Sequence, residues 1–302
     1  MEQLYFPGCT LKTTAENFEI TGKETAKVLG VNLVEIEDWV CCGTVHSLTT
    51  DDLMYHLAPT RILIRAQEMG KKMGVGGEDG CSLFTLCSMC YNTLSQLNEL
   101  VKESPDKLDI INAFMDEEPN YEGKVKVLHL LELYKQIGIE KIKAKVIAPL
   151  NGLKVAPYYG CLLLRPKKVA IDNLEDPTIM EDLIKALGAE PVDNPYKSKC
   201  CGTFHTVDKP YLVANLAYKI LTYARRAGAE AIVLSCPLCA FNLENRQEKI
   251  KELYPDFQRM PVFYFTQLMA IAFGLGDFCR FETNYVDPLP LLKSKNIIKV
   301  KG

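Results

Sequence analysis

The 302-residue sequence has no apolar run near the roughly 20 residues that a membrane-spanning helix needs; the longest candidate, residues 262–276, is broken by Thr266 and Gln267. Its opening, MEQLYFPGC, has neither the basic start nor the apolar stretch of a secretion signal, so a reducing cytoplasm is the expected compartment and the thiol the expected state of cysteine. No basic surplus is present: a formal net charge of −3 argues against a nucleic-acid footprint and lends no support to membrane-surface binding. The glycine-rich stretch 74–80 does not fit G-x-G-x-x-G and no GKS or GKT phosphate loop occurs, so neither flavin nor nucleotide is expected on this chain. Histidine is scarce, with four copies, whereas cysteine is abundant, with twelve. A chain of this length can bury two ordinary cores without covalent staples, so the cysteines call for another explanation.

Ten of the twelve fall into one pattern used twice: a cysteine, then Cys-Cys-Gly, then Cys-x-x-Cys. The first copy is Cys9, Cys41-Cys42-Gly43 and Cys87-Ser88-Met89-Cys90; the second is Cys161, Cys200-Cys201-Gly202 and Cys236-Pro237-Leu238-Cys239. Each element of the second copy lies 149 to 159 residues after its counterpart, which makes duplication the economical explanation. Cys81 and Cys279 have no counterparts and read as buried bystanders.

The periodicity repeats with the cysteines. In the first half it predicts a strand running into Cys9, a helix over 15–29 closed by Gly30, a strand over 32–37 before Cys41, a helix over 51–69 ending at Gly70, a strand over 83–86 entering Cys87, a helix over 91–101 and a strand over 125–131. The second half repeats the order: a strand into Cys161, a helix near 178–187, a short extended piece before Cys200, a helix over 211–227 and the AIVLS strand into Cys236. The closing segments 125–138 and 260–274 also correspond, and 145–152 is the join. The expectation is α/β with two pseudo-symmetric tandem domains, 1–148 and 149–302, each a small, mainly parallel sheet flanked by helices. Each cysteine group follows a strand, so three groups per half converge beyond the carboxyl ends of the strands, where open α/β sheets form their sites.

For the metal, zinc is the first rival, because Cys-x-x-Cys pairs often hold it tetrahedrally with four ligands. Each copy offers five cysteines. Vicinal cysteines chelate one ion only through a strained ring, but neighbouring irons of a sulfide-bridged cluster can take one thiolate each, so iron–sulfur is favoured. Redox disulfides without metal are the third possibility. Gly43 and Gly202 let the backbone turn tightly beside such a centre.

The vicinal motifs, with VAPYYGCLLLRP (155–166), TLCSMCYNTL (85–94), VLSCPLC (233–239) and FYFTQLMAIAFGLG (263–276), resemble the B component of heterodisulfide reductase, a member of the CCG cysteine-rich domain family, over nearly the whole chain. Both pairs continue as CCG-T-x-H, a form similar to non-methanogen homologues. The family includes the catalytic component that reduces the mixed disulfide of coenzyme M and coenzyme B. The resemblance implies a noncubane [4Fe-4S] cluster in each copy, held by Cys9, Cys41, Cys42, Cys87 and Cys90 and by Cys161, Cys200, Cys201, Cys236 and Cys239, which accounts for the fifth ligand. It also implies two partners, a ferredoxin-like iron–sulfur subunit and a flavin subunit, and a small-molecule disulfide as substrate.

Reducing a disulfide takes two electrons and a cluster delivers one at a time, so two clusters match the count; the disulfide is expected between the halves, one sulfur going to each cluster. His46 and His205 stand four residues after the second cysteine of each vicinal pair and are candidate proton donors, against the alternative of turn-capping residues. Lys12, Arg165, Lys167 and Lys168 follow the first cysteine of their copies and could hold an anionic substrate, or simply form a solvated face. His56 and His129 receive no role, and Trp39 reads as packing rather than shielding. Two other readings stay open at this point: an electron-transfer or scaffold subunit without disulfide binding, and a zinc-stabilised interaction module.

Overall fold

The computed structural model describes residues 1–44, 52–77 and 80–298. Two four-stranded parallel sheets, each flanked by helices, carry the fold. The first holds β1 (Glu2–Phe6), β2 (Asn32–Glu35), β3 (Ser82–Thr85) and β4 (Lys126–His129) in the order β2-β1-β3-β4. The second holds β5 (Lys154–Tyr158), β6 (Glu190–Pro191), β7 (Ala231–Leu234) and β8 (Val262–Tyr264) in the equivalent order β6-β5-β7-β8. Short strands of β-branched and aromatic residues, buried on both faces by crossover helices, are what an all-parallel sheet demands; β7 is buried at all four positions.

The helices follow the expected rhythm, with boundaries set by packing and caps. Helix α1 (Glu16–Val28) links β1 to β2. Helix α2 (Leu57–Met73) runs through Gly70, because that glycine makes room for Cys81, whose Sγ would sit 2.9 Å from an added Cβ; the stop is Gly74, at φ 64°. Helix α3 (Ser88–Glu103) is followed by α4 (Pro105–Phe114), which begins on the helix-starting proline and which the apolar periodicity does not announce. Helices α5 (Leu130–Ile137) and α6 (Ile139–Lys143) close the first half. The second half contributes α7 (Ile179–Ala186), α8 (Pro210–Arg226), α9 (Pro237–Ala240), α10 (Gln247–Leu253), α11 (Phe265–Ala272) and α12 (Leu289–Ser294).

Strand β4 stops at His129, short of the expected Leu131, because His129 caps α5. Its Nδ1 accepts from Leu131 N at 3.2 Å while Glu132 Oε2 accepts from His129 N at 2.8 Å. At the same register of the second sheet Tyr264 precedes α11, with Gln267 Oε1 accepting from Tyr264 N at 3.0 Å.

The halves embrace through their closing helices. Helix α11 is buried at all eight positions because it packs on α1 of the first half, and α5 and α6 pack on α7 of the second. Phe18 stacks on Tyr264 with centroids 4.2 Å apart and meets Phe265 edge-on at 5.6 Å. The fully buried hydroxyls of Thr21 and Thr266 pair at 2.7 Å, and Thr25 pairs with Tyr134 at 2.9 Å. Truncating Phe18 would cost about 3–5 kcal/mol on the usual scale for a buried ring.

His129 gives a pH test. Its Nε2 hydrogen-bonds the Leu86 carbonyl at 2.8 Å and its Nδ1 is an acceptor, so the ring is neutral, and burial lowers its pKa to about 4. The unfolded ring, with its ordinary value near 6.5, takes a proton first, so stability is lost as pH falls from about 6.5 towards 4, by on the order of 3 kcal/mol in all. Urea unfolding at several pH values in that window is expected to show the decline in the wild type and a shallower one in His129→Asn. An unchanged slope would assign the acid sensitivity to another group.

Candidate functional site

In the order β2-β1-β3-β4 the connection reverses direction between β1 and β3, and the crevice outside their carboxyl ends is where α/β sheets place ligands. Cys9 lies just beyond β1 and Cys87 just beyond β3; Cys161 and Cys236 stand likewise beyond β5 and β7. Cys87 is the N-cap of α3 and Cys236 of α9, so Cys90 and Cys239 fall in the first helical turns, where their bonds to Cys42 and Cys201 hold both thiols well above the usual range.

The vicinal pairs complete each crevice. Cys9 and Cys41 sulfurs lie 3.8 Å apart, Cys42 and Cys90 3.5 Å, and Cys201 and Cys239 3.4 Å. Cys41 touches Cys42, Cys90 touches Cys87, Cys200 touches both Cys201 and Cys161, and Cys236 touches Cys239. The halves join through Cys87 and Cys236, whose thiols hydrogen-bond across the interface. Beside them Ser88 and Ser235 hydroxyls meet at 2.9 Å. All ten motif cysteines therefore form one continuous string, Cys9-41-42-90-87-236-239-201-200-161, with both ends nearer the surface and the middle buried.

The sulfurs share protons along this string. Hydrogen bonds from Cys161 and Cys201 hold the Cys200 thiol far below its usual range, and those from Cys239 and Cys87 do the same for Cys236. Their partners shift the opposite way: Cys161 is raised first by its bond to Cys200, and Cys87 first by its bond to Cys236. None of the twelve cysteines is in a disulfide. Among the described residues, no three Cys, His, Asp or Glu side chains surround one point as a single ion requires. A string of five thiols per half, one more than a tetrahedral ion takes, fits a multi-metal centre.

Two glycines that the periodicity leaves unmarked shape the crevices. Gly8 and Gly160 directly precede Cys9 and Cys161, with φ of 73° and 66°, and a Cβ there would come within 2.8 Å of Cys90 Sγ and 3.4 Å of Cys239 Sγ. The Gly-Cys dipeptide in both copies was the available signal. Gly43 and Gly202 turn the vicinal loops at φ 79° and 89°. Equivalent side chains six residues after Cys87 and Cys236 tie those loops down: Thr93 Oγ1 donates to the Thr44 carbonyl at 2.9 Å, and Asn242 Nδ2 reaches Cys201 Sγ at 3.4 Å.

The remaining expected site residues are placed as follows. His46 lies outside the described residues. His205 ends the turn Thr203–His205 beside Cys201, 41% exposed, its Nδ1 3.7 Å from Asp208. Three of the four basic residues are engaged: Lys12 bonds Glu19 and Glu35 at 2.8 and 2.6 Å, Arg165 bonds Glu175 at 2.8 Å, and Lys168 bonds Glu103 of the other half at 3.0 Å. Cys81 and Cys279 bond the Ala66 and Gln267 carbonyls instead of joining the string. Trp39 packs on Phe6 and donates to Glu35. A narrow cleft, about 350 Å³ with its open mouth included, lies between the halves over the second-half thiols, lined by Ser88 and Met89 from one side and by Tyr159, Cys161, Cys200 and Phe204 from the other.

A family model described as the cysteine-rich CCG domain matches twice, at residues 3–95 and 155–244, covering each crevice in turn. The chain belongs to the CCG family. A relative in Wolinella succinogenes, the 8-methylmenaquinol:fumarate reductase membrane anchor subunit, is 34% identical over 281 residues, 91% of this chain and 93% of that one. The B component of the ferredoxin:CoB-CoM heterodisulfide reductase of Methanosarcina mazei is 27% identical over 95% of this chain and 94% of its own length. A protein of Archaeoglobus profundus named as similar to the heterodisulfide reductase B component is 28% identical, with 89% of each chain covered. A solved hypothetical protein from Helicobacter pylori matches with a TM-score of 0.69 at 12% identity, over 94% of this CCG chain and 52% of that structure; this chain spans about half its length, and the likeness concerns the fold alone. Among the described residues no helix is long and apolar enough to cross a membrane.

The two glycine positions give a stability test. Gly43→Ala meets nothing within 4 Å, so its cost is that of an alanine in left-handed backbone, about 1–2 kcal/mol. Gly8→Ala carries the same cost and also displaces the Cys90 sulfur. Urea unfolding of the two variants should find Gly8→Ala the less stable; equal losses would show that the crevice has slack at Cys90.

Proposed function

We propose that this chain is the disulfide-reducing subunit of a heterodisulfide reductase-type complex, in which Cys9, Cys41, Cys42, Cys87 and Cys90, and Cys161, Cys200, Cys201, Cys236 and Cys239, hold two noncubane [4Fe-4S] clusters. The observation that carries it is the unbroken string of ten sulfurs across the interface. When bound, such clusters supply electrons one at a time, and two of them match the two electrons that convert one disulfide into two thiols. The relatives named for heterodisulfide reductase support the substrate class.

The chain's own residues do the rest. A narrow cleft beside Cys161 and Cys200 marks where a disulfide would approach the sulfurs, and Met89, Tyr159 and Phe204 line it. Met89 offers a soft, adaptable thioether contact for sulfur. His205 is the proton donor at the exposed end of the second-half string, and His46 is its counterpart in sequence. Lys12, Arg165 and Lys168, bound to carboxylates, hold the loops around the first cysteines more than they hold substrate. Electrons come from a ferredoxin-like subunit and, behind it, from a flavin subunit. The Wolinella relative, named for a fumarate reductase, favours a second reading: an electron-transfer subunit whose clusters never meet a disulfide.

Iron, zinc and acid-labile sulfide on anaerobically purified protein test both. Two four-iron clusters require about eight irons and eight sulfides per chain. An EPR signal that appears on adding thiol under oxidising conditions is expected from the disulfide-reducing subunit and not from the electron carrier. Cys42→Ser and Cys201→Ser should each abolish two-electron turnover and leave the other half's cluster intact. Full turnover on one cluster would sink the mechanism, and two zincs without sulfide would sink the assignment.

A further inference from the structure

The amino ends of the first sheet's strands border a groove of about 390 Å³, at the opposite end of the sheet from the cysteines. Phe84 and Leu128 form its floor, and Leu29, just after α1, and Leu133 and Ile137, on α5, form its sides. A polar row crosses the floor: the strand register sets Ser82 against Lys126 and Gln3 beside Ser82. Lys141 of α6 stands on the rim, and no carboxylate lines the groove. Lys126 and Lys141 are exposed, and among the described residues neither has a carboxylate within ion-pair distance, although Glu132 lies in the field of Lys126.

The second half covers the equivalent place with its own chain. There the ends of α7 and α11 correspond to those of α1 and α5, and residues 146–150 run across them. Ile147 N and Ala148 N donate to the Ala272 carbonyl at 2.9 and 3.0 Å, and Leu150 N donates to the Leu187 carbonyl at 3.0 Å. Leu150 is fully buried, and Pro149 sits so close over Gly188 that a Cβ added there would meet its Cβ at 3.0 Å. The row that corresponds to Gln3, Ser82 and Lys126 is Val155, Ala231 and Pro261, all apolar.

In the first half the matching acceptors are the carbonyls of Ile137, the last residue of α5, and of Leu29. Among the described residues neither meets a donor. Gly30, the counterpart of Gly188, is uncovered: an added Cβ would meet nothing within 4 Å. The covered half therefore shows what the open groove is shaped to take, a short apolar segment that crosses two helix ends and donates amides to carbonyls the helices leave unpaired. What differs is charge, because Lys126 stands where the second half has proline, and Lys141 stands beside it on the rim.

We propose that this groove seats a short apolar segment carrying an acidic residue, supplied by a partner subunit. Its amides bond the Leu29 and Ile137 carbonyls, and its carboxylate meets Lys126 and Lys141. Because the seat lies at the far end of the sheet from Cys9 and Cys87, its occupancy is independent of what the sulfurs bind, and the disulfide reading stands or falls separately.

The probes are two fluorescein-labelled hexapeptides with amidated carboxyl ends, added to the anaerobically purified full chain. One is KVIAPL, the sequence of residues 145–150, and the other is EVIAPL, in which an acid replaces the lysine. Fluorescence anisotropy is expected to show EVIAPL binding at least about tenfold more tightly than KVIAPL, the scale of two ion pairs set against two like-charge contacts. The double variant Lys126→Glu with Lys141→Glu should invert that preference. Gln136→Trp, at an exposed helix position on the groove wall, should weaken both peptides without touching the core. Failure of EVIAPL to bind, or equal binding of the two peptides that the charge reversal leaves unchanged, overturns the proposal. A concentration-dependent dimer in sedimentation that Gln136→Trp breaks also overturns it, by giving the groove to a second copy of the chain.

Discussion

The contact between Cys87 and Cys236 is the constraint on which the site depends, and it exists because each half is closed by the other. A four-stranded parallel sheet alone leaves its strand-end crevice open to water. Packing α11 on α1, and α5 and α6 on α7, turns the two crevices towards each other, so that two groups of five thiols become one string of ten. The buried hydroxyl pairs Thr21–Thr266 and Ser88–Ser235 make that docking specific. A buried hydroxyl without its partner costs roughly 1–3 kcal/mol, so a sliding of the halves that strands both pairs is penalised at every such position.

Duplication supplied the symmetry, and substitutions at equivalent places have since divided the labour. At the end of the fourth strand His129 stands in one half and Tyr264 in the other, each capping the next helix through a side chain three residues on. The imidazole is locked neutral between Leu86 and Leu131, whereas the phenol borders a cavity with a buried carboxyl. The cleft between the halves likewise lies over the second-half thiols and takes Ser88 and Met89 from the first half as a wall. Equivalence of fold thus coexists with different surroundings for the two groups of sulfurs, and unequal surroundings are what tune otherwise similar metal centres.

Much of this was legible in the chain itself. Strands and helices alternate with clear punctuation, and the cysteine groups announce the carboxyl ends of the strands, so the parallel sheets and converging thiols follow from pattern alone. What escaped depends on contacts made at long range. Gly70 looks like a helix stop but is a helix interior opposite Cys81. Gly8 and Gly160 look like turn residues until the sulfurs behind them are placed. Lys12 and Lys168 look available for an anion until Glu19, Glu35 and Glu103 arrive from other segments. Asn242, on the π-helical turn Phe241–Asn245, carries no local signal at all, because such a turn is decided by packing and not by periodicity.

The same pairing of basic residues bears on the charge of the sulfur string. Thiolates buried in a protein are costly unless a positive charge or several donors meet them. Helix N-termini at Cys87 and Cys236 supply part of that, and sharing protons between neighbouring sulfurs supplies more. Neither can serve ten thiolates at once. The cleft lining contains no lysine or arginine, and Lys12, Arg165 and Lys168 are committed to carboxylates. A fold that gathers ten thiols and commits Lys12, Arg165 and Lys168 to carboxylates leaves much of the balancing charge to whatever the sulfurs bind, and metal ions are the strongest local charges a site can hold. On that ground the string is better suited to metal-bound thiolates than to a run of free thiols, independently of any likeness to known proteins.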